Sequence, residues 1–596
     1  MAQLAETSVA TTRTIAALWR NAVAGAPARP AYLAERDGGW IEVTWPEAAR
    51  RVDEIANGLL ALGIRKGDAF AILASTSLEW CLFDFALGLV GAVGAPIYAN
   101  SSPHDVAYVL EHSESVGVLA EDAGQLAKVD EGRNALPRLS HVLTYADLDG
   151  LEARGREHAA AHPDALDEAV AAIGEEDLFT YIYTSGTTGP PKACMIRHRN
   201  YYEMAAAVDN LPGLLEDGDT MLLYLPLAHN FGRLMHLEAP YSGYTLAFCR
   251  DPLRLGEALA AVRPTVFPSV PRVYEKSHTA VVSHLEAAHG PKRRLADWAL
   301  GVGRETSRLR QEGRPLPRGL AVRHRLADRL VFSKVKNRFG GRLRLAISGG
   351  APLAPEILEF FHALDILILE GYGLTECTTA CSVNRPDRYR FGTVGPVLAG
   401  FETRLDEDGE LLVRGQTVFA GYYRDEEATR AVLDDEGWLR TGDVARIDDD
   451  GFLTITDRKK DILVTAGGKN VAPQNLENEL KASKYLSQAL VVGDRRPYVA
   501  ALVTLDDAEV AKWRDAGGGD VEALVQSVVD EVNRQHSRFE QVKRFEILPR
   551  DFSADEGEVT PTLKLKRRVV QEHFADAIER LYDTYTGRDA RTGKDP

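Results

Sequence analysis

The feature that most narrows the fold is an alternation. From Ala69 onward, short β-prone runs such as AFAILAS and SVGVLAE take turns with helix-like stretches such as LEWCLFDFALGLVGA. Strands separated by helices build βαβ units, and each crossover returns the chain to the same end of the sheet, so the sheet is mainly parallel. The rhythm continues through TVFPSV and LRLAISGG, which predicts a large α/β body up to about residue 460. After Asp461 the order becomes ILVT, a helix from Pro473, then QALVVGD, YVAALVTL, helices to about Ser537, RFEILP and a final helix. That order reads as a small α+β domain. With 596 residues, the chain exceeds one ordinary domain, and its 45% hydrophobic content can fill two cores. The closing GRDARTGKDP reads as disordered, and there is neither an internal repeat nor a long low-complexity linker.

Charge removes several function classes. A formal net charge of -17 argues against a surface that tracks nucleic acid, so an anionic ligand needs a local positive site. Cys81, Cys194, Cys249, Cys377 and Cys381 form no CxxC pair and cannot all pair with one another, which suits a reducing, cytoplasmic setting. The apolar stretch around Thr14–Trp19 is too short and wrongly flanked for a secretion signal. The most apolar run, Cys81–Val93, is broken by Asp84 and falls short of the roughly 20 residues that span a bilayer. It reads as a buried core helix, and any membrane contact would be peripheral, at the inner face.

Between Arg272 and Gly341 the pattern turns into a long helical stretch, broken at GRPLPRG. It carries Arg293, Arg294, Arg323, Arg325, Arg329, Lys334, Lys336 and Arg338. Two readings stand side by side: a solvated helical face, and a patch for an anionic headgroup or the phosphates of coenzyme A.

The segment Tyr183-Thr-Ser-Gly-Thr-Thr-Gly-Pro-Pro-Lys192 follows the β-prone LFTYIY. Gly186 and Gly189 let backbone N–H groups turn toward an anion, Thr184, Ser185, Thr187 and Thr188 add hydroxyl donors, and Lys192 adds charge. Such a loop suits a triphosphate. It is not a Walker A loop, because Lys192 follows two prolines and precedes Ala193.

This string resembles the signature of the adenylate-forming, or AMP-binding, superfamily, and the resemblance runs in order over nearly the whole chain. Leu225-Pro-Leu-Ala-His229 is similar to the family's substrate-side motif. Ser348-Gly-Gly-Ala-Pro-Leu353 and Glu370-Gly-Tyr-Gly-Leu-Thr-Glu376 are similar to its adenine and magnesium motifs. Gly437-Trp-Leu-Arg-Thr-Gly-Asp443, Asp457-Arg-Lys-Lys-Asp461 and Thr560-Pro-Thr-Leu-Lys564 are similar to its ribose, hinge and catalytic-lysine motifs.

The resemblance implies a large N-terminal adenylate-forming domain with parallel-sheet-rich layers, residues 1–459, a hinge at Lys460, and a small mobile α+β domain, residues 461–596. It implies ATP, Mg²⁺ and coenzyme A as cofactor and co-substrates, with a fatty acid as the acid. ATP or AMP would meet the Thr184–Gly189 loop, Lys192, Gly349, Gly350, Ala351, Glu370, Gly371, Tyr372, Gly373, Thr375, Asp443 and Arg458. The ring of Tyr372 suits stacking on adenine, with Gly371 and Gly373 permitting close approach. Asp443 can accept both ribose hydroxyls. Glu376, with Thr184, offers hard oxygen to Mg²⁺. His229, Arg458, Lys460 and Lys564 are the catalytic candidates: Lys564 would bridge the carboxylate and the α-phosphate, and Lys460 would swing the small domain. Gly467, Gly468 and Lys469 would then line the channel for the pantetheine arm.

His229-Asn230-Phe231-Gly232-Arg233 lacks the aspartate that amino-acid-activating relatives use, which argues against a free amino acid. It also lacks the glutamate common in long-chain members at Gly232, and the tryptophan that some carry at Arg233. Val270-Pro-Arg-Val-Tyr-Glu275 and the helical stretch after it resemble long-chain synthetases. The expected reaction is therefore conversion of a medium- or long-chain fatty acid to acyl-AMP and then to acyl-CoA. Two alternatives stand beside it: a fatty acyl-AMP ligase that loads an acyl-carrier protein, and a non-enzymatic fatty-acid-binding or uptake protein.

Overall fold

A computed structural model describes residues 12–25, 29–184, 190–553, 555–560 and 564–583. The α/β body contains two sheets. The larger has eight strands in the spatial order Ser382–Val383, Ile368–Tyr372, Leu345–Ser348, Val266–Ser269, Thr220–Leu223, Thr245–Phe248, Tyr32–Arg36 and Gly39–Val43. Neighbours from Ile368–Tyr372 to Tyr32–Arg36 run parallel, and only the outermost pairs are antiparallel. Runs such as LAIS and TLAF are apolar on both faces because helices cover both sides of the sheet.

The second sheet has six strands, His141–Thr144, Gly117–Ala120, Ala69–Leu73, Val93–Ile97, Leu178–Thr184 and Lys192–Arg197, parallel except for the last pair. Against it lies the helix Leu78–Val90, capped by the Ser77 hydroxyl on Trp80 N–H and stopped by Gly91 at φ 76°. It holds most of the apolar run of the sequence, and every residue of it except Glu79 is buried. Asp84, the interruption in that run, is buried too and makes an ion pair with Arg233. No helix among the described residues is long and apolar enough to cross a membrane. All five cysteines are buried and unbridged.

A four-stranded antiparallel sheet, Phe401–Leu405, Glu410–Gly415, Leu439–Ile447 and Leu453–Arg458, closes the body. The small C-terminal domain follows. Its sheet sets Leu486–Val492 antiparallel to Val499–Leu505, with Val542–Ile547 parallel to the latter. A two-stranded hairpin, Leu463–Val464 with Asn470–Val471, precedes it.

The small domain leans on one helix of the body, Pro271–Glu286. Arg272 donates to the Ser487 carbonyl at 2.5 Å and to its hydroxyl at 2.7 Å. Lys481 lies 3.3 Å from Glu275, Lys484 pairs with Glu286, and Ser283 donates to Glu509. The Tyr274 hydroxyl of the same helix lies 3.0 Å from the carbonyls of both Phe267 and Ile347. This helix therefore joins the carboxyl ends of two central strands to the small domain. The stretch beginning Val270-Pro-Arg-Val-Tyr-Glu275 has this docking role in addition to the one the resemblance suggests.

Candidate active site

In open parallel sheets, ligands collect beyond the carboxyl ends of the strands. Here those ends are Ser348 and Tyr372, and the sequence motifs gather around them. Leu345–Ser348 runs into Gly349 and Gly350. A side chain at Gly349 would press on the Phe231 ring at 3.2 Å, and Gly350 adopts φ +87°, a conformation that suits glycine. Ser348 is buried, and its hydroxyl has no hydrogen-bond partner. Glu370 accepts from Leu353 N–H at 2.9 Å and so pins the loop from behind, and burial pushes its carboxyl up to about 8.

Tyr372 donates its hydroxyl to Asp443 at 2.5 Å. Asp443 sits opposite Arg458 across two strands, and the Arg458 Nε lies 3.4 Å from its carboxylate. Burial raises the Asp443 pKa, while Arg458 pulls it back down. Gly373 also has a reason within the chain. A Cβ there would fall 1.9 Å from the Thr379 carbonyl, so its small size is taken up by the chain itself. Gly371 likewise packs against Val383.

A hairpin carries the residues expected to meet phosphate. Leu178–Thr184 and Lys192–Arg197 pair with Thr184 facing Lys192, which closes the neck of the loop. Ser185, Gly186, Thr187, Thr188 and Gly189 lie outside the described residues. Lys192 lies 3.7 Å from Asp425 and 5.2 Å from the centre of the Tyr422 ring. Tyr422 donates to Glu376 Oε1 at 2.7 Å, and Phe419 N–H holds the Glu376 carbonyl at 2.9 Å. Glu376 is thus fixed by backbone and side chain, with Thr375 beginning the same short turn.

Lys564 reaches this cleft from the small domain. Its loop is tied by Thr560 N–H to the Lys564 carbonyl at 2.8 Å and by Lys564 N–H to the Thr560 hydroxyl at 3.0 Å. Its Cε lies 3.9 Å from where a Gly350 side chain would begin. The side chain is open to the cleft, yet protein mass surrounds its ammonium. Desolvation, with Arg458 nearby, pushes its pKa down to about 8, against the pull of Asp443 and Glu376.

His229 caps the helix Asn230–Ser242, with Nδ1 accepting from Phe231 N–H at 3.2 Å. That bond assigns the proton to Nε2. Burial, with Lys564 nearby, lowers the His229 pKa to about 3, so the ring is a neutral donor at physiological pH.

Two departures from the family pattern acquire reasons. A side chain at Gly232 would meet the Pro226 carbonyl at 2.5 Å, which leaves no room for glutamate. Arg233 is completely buried, paired with Asp84, donating to Thr180 at 2.6 Å and lying 4.7 Å from the centre of the Phe179 ring. It anchors the helix that begins after His229 to the strand Leu178–Thr184. A buried charge of this kind is tolerated only with its partner in place.

Lys460 follows the last strand of the body, and burial lowers its pKa. Next to it, Asp457 accepts from Gln474 N–H at 3.1 Å on the small-domain helix Pro473–Lys481, and burial pushes it up to about 6. Gly467, Gly468 and Lys469 form the exposed tip of the hairpin 463–471, with Gly468 at φ +72°. Among the described residues, no hydrogen bond or ion pair joins that tip to the Lys564 cleft. Tyr422 and Asp425 stand beside Glu376 and Lys192 without belonging to any of the motifs. The signal for Tyr422 is faint: an aromatic pair after Gly421.

The model of the AMP-binding enzyme family matches residues 19–423, and that of its C-terminal domain matches residues 460–586. The chain belongs to the AMP-binding enzyme family. Among curated relatives, the long-chain-fatty-acid–CoA ligase FadD15 of Mycobacterium tuberculosis is 41% identical over 92% of this chain and 93% of its own. The peroxisomal long chain acyl-CoA synthetase 7 of Arabidopsis thaliana is 30% identical over 91% and 82%. Among solved structures, the anthranilate CoA ligase AuaEII in complex with anthranoyl-AMP superposes with a TM-score of 0.75 at 20% identity, covering 95% of this chain and 98% of that one. A Mycobacterium tuberculosis fatty acyl CoA synthetase superposes with a TM-score of 0.62 at 22% identity, covering 95% and 99%. These structural likenesses concern the fold.

Proposed function

We propose that this member of the family is an ATP-dependent ligase that converts a medium- or long-chain fatty acid to acyl-AMP and pyrophosphate, and then to acyl-CoA and AMP. The observation that carries this reading is Lys564, delivered from the small domain to the Gly350 loop, in one cleft with Asp443, Tyr372 and Glu376. In the first step the substrate carboxylate attacks the α-phosphorus of ATP and pyrophosphate leaves. Such a reaction asks the protein for alignment and charge neutralisation. Lys564 bridges the two reacting anions. His229 offers a neutral N–H to an oxygen as charge develops there. Lys192 and the Thr184–Gly189 loop take the leaving phosphates.

The cleft fits the nucleotide: an orphaned buried hydroxyl on Ser348, a left-handed Gly350, and an aromatic ring and carboxylate side by side at Tyr372 and Asp443. Glu376, with Thr184, would hold Mg²⁺. Its Oε1 accepts from Tyr422, which leaves Oε2 as the atom that would ligate the ion. Bound there, Mg²⁺ supplies charge neutralisation on the phosphates. The body ends at residue 459, Lys460 is the hinge, and residues 461–596 rotate about it to bring Gly467, Gly468 and Lys469 to the site for coenzyme A. The enzyme works in the cytoplasm, with peripheral contact at the inner face of the membrane.

The long-chain names and near-complete coverage of the curated relatives support the acid and the acceptor. Pyrophosphate release measured across straight-chain acids from acetate to stearate, plus benzoate and cinnamate, with and without coenzyme A, tests both. A maximum among the longer acids with acyl-CoA as product is expected. A maximum at acetate or at an aromatic acid sinks the substrate assignment, and transfer to a carrier protein in preference to coenzyme A sinks the acceptor.

The Lys564 ammonium gives a pH signature. Its charge is present below about 8 and lost as the pH rises through that value. In the free enzyme, kcat/KM for ATP in adenylation should therefore decline above about pH 8. Bound phosphates raise the lysine's pKa, so kcat alone should hold to a higher pH. A kcat/KM profile that stays flat to about pH 9 would remove Lys564 from the charged role.

A further inference from the structure

The helical stretch between the docking helix and the central sheet has two kinds of basic residue. Arg293 pairs with Asp297 at 3.0 Å, Arg310 with Asp365 at 2.6 Å, Lys336 with Asp328 at 2.6 Å, and Arg323 lies 3.6 Å from Glu305. These are ordinary solvated or part-buried pairs. The helix Arg318–Ala327 and the π-helical turn Asp328–Phe332 that continues it differ. Leu320, His324, Ala327 and Val331 turn inward and are buried. On the opposite face, Val322, Leu326 and Leu330 recur every fourth residue and are 65%, 49% and 37% exposed. Arg318, Arg325 and Arg329 lie on the same face, exposed, and none forms an ion pair among the described residues.

Single exposed aliphatic residues are common and carry no message. The other large ones here, Leu253, Leu405, Ile447, Val464 and Phe539, sit on separate elements. Three in register, flanked by unpaired guanidinium groups on a protein of net charge -17, form a local surface of the opposite sign to the whole. Nucleic acid would satisfy the arginines and strand the aliphatic groups against phosphate. An anionic bilayer satisfies both: its headgroups meet the guanidinium groups, and the acyl boundary accepts short aliphatic side chains.

We propose that this ridge, Arg318 to Leu330, is a docking surface for a membrane rich in anionic phospholipid. The proposal gives a place to the peripheral contact named above and rests on that reading for its purpose, since the acid would be drawn from the bilayer. The guanidinium groups set the approach and its salt dependence, and the three aliphatic side chains set the depth.

The test is flotation of the full chain with vesicles of phosphatidylcholine alone or of equimolar phosphatidylcholine and phosphatidylglycerol, at low and high salt. Binding is expected only to the vesicles containing phosphatidylglycerol, and weaker at high salt. Reversing charge with Arg325→Glu and Arg329→Glu should lower the partition coefficient by at least about tenfold. Val322→Ser with Leu326→Ser should lower it severalfold even at low salt. Thermal melting and pyrophosphate release with a soluble short acid should match the parent in both variants. That release is measured apart from vesicle binding, so loss of one leaves the other readable. An unchanged partition in either variant overturns the proposal. So does failure of the parent to float, or a lipid-free dimer that the serine variant disrupts.

Discussion

Lys564→Ala should lower the rate of pyrophosphate release by about a hundredfold or more, the usual cost of removing one preorganised charge from a transition state. Acyl-AMP supplied from outside should still pass to coenzyme A within a few-fold of the parent rate. The split follows from geometry. Lys564 approaches the Gly350 loop in the pose described here, where its ammonium lies among Arg458, Asp443 and Glu376. Its loop is held by two bonds at Thr560, so truncating the side chain leaves its backbone support intact. Measuring the two half-reactions separately checks the split, and equal losses in both would mean that Lys564 acts through the fold.

Lys460→Pro should produce the complementary loss. Adenylation should stay within a few-fold of the parent, and thioester formation from supplied acyl-AMP should fall by at least about tenfold, a barrier increase of ~1.4 kcal/mol. Proline fixes φ near −65° and takes away the rotation on which a second pose depends. The Asp457 bond to Gln474 N–H already ties the last strand of the body to the small domain beside this residue. A locked hinge would therefore leave the adenylating pose in place. Thioester formation at the parent rate in this variant would exclude Lys460 as the pivot.

What could be read from the sequence was what lies close together along it. The βαβ body and the small α+β domain followed from local periodicity, and the motifs around Ser348, Tyr372, Asp443 and Lys564 are short contiguous strings. What could not be read is where distant segments meet. Asp84 looks like a flaw in an apolar helix until Arg233 is found beside it, 149 residues away. Tyr422 has no motif of its own and gains meaning only through Glu376 and Lys192. At Gly373 the expectation is close approach to adenine, and the structure adds a constraint from a distant segment, the Thr379 carbonyl, where a side chain would begin. The basic stretch divides for the same reason: charge counts along a chain do not tell which arginines find acids once it folds.

The helix Pro271–Glu286 touches both ends of the reaction. Through Tyr274 it grips the strand end at Ile347, next to the loop carrying Gly349 and Gly350, and through Arg272 and Glu275 it grips the small domain. If nucleotide in that loop favours the docked pose through this helix, the docked pose must tighten nucleotide by the same factor, because linkage between two equilibria is reciprocal. Undocking would then weaken the hold on AMP in proportion, so one movement would serve both to admit the thiol and to prepare the enzyme to be emptied.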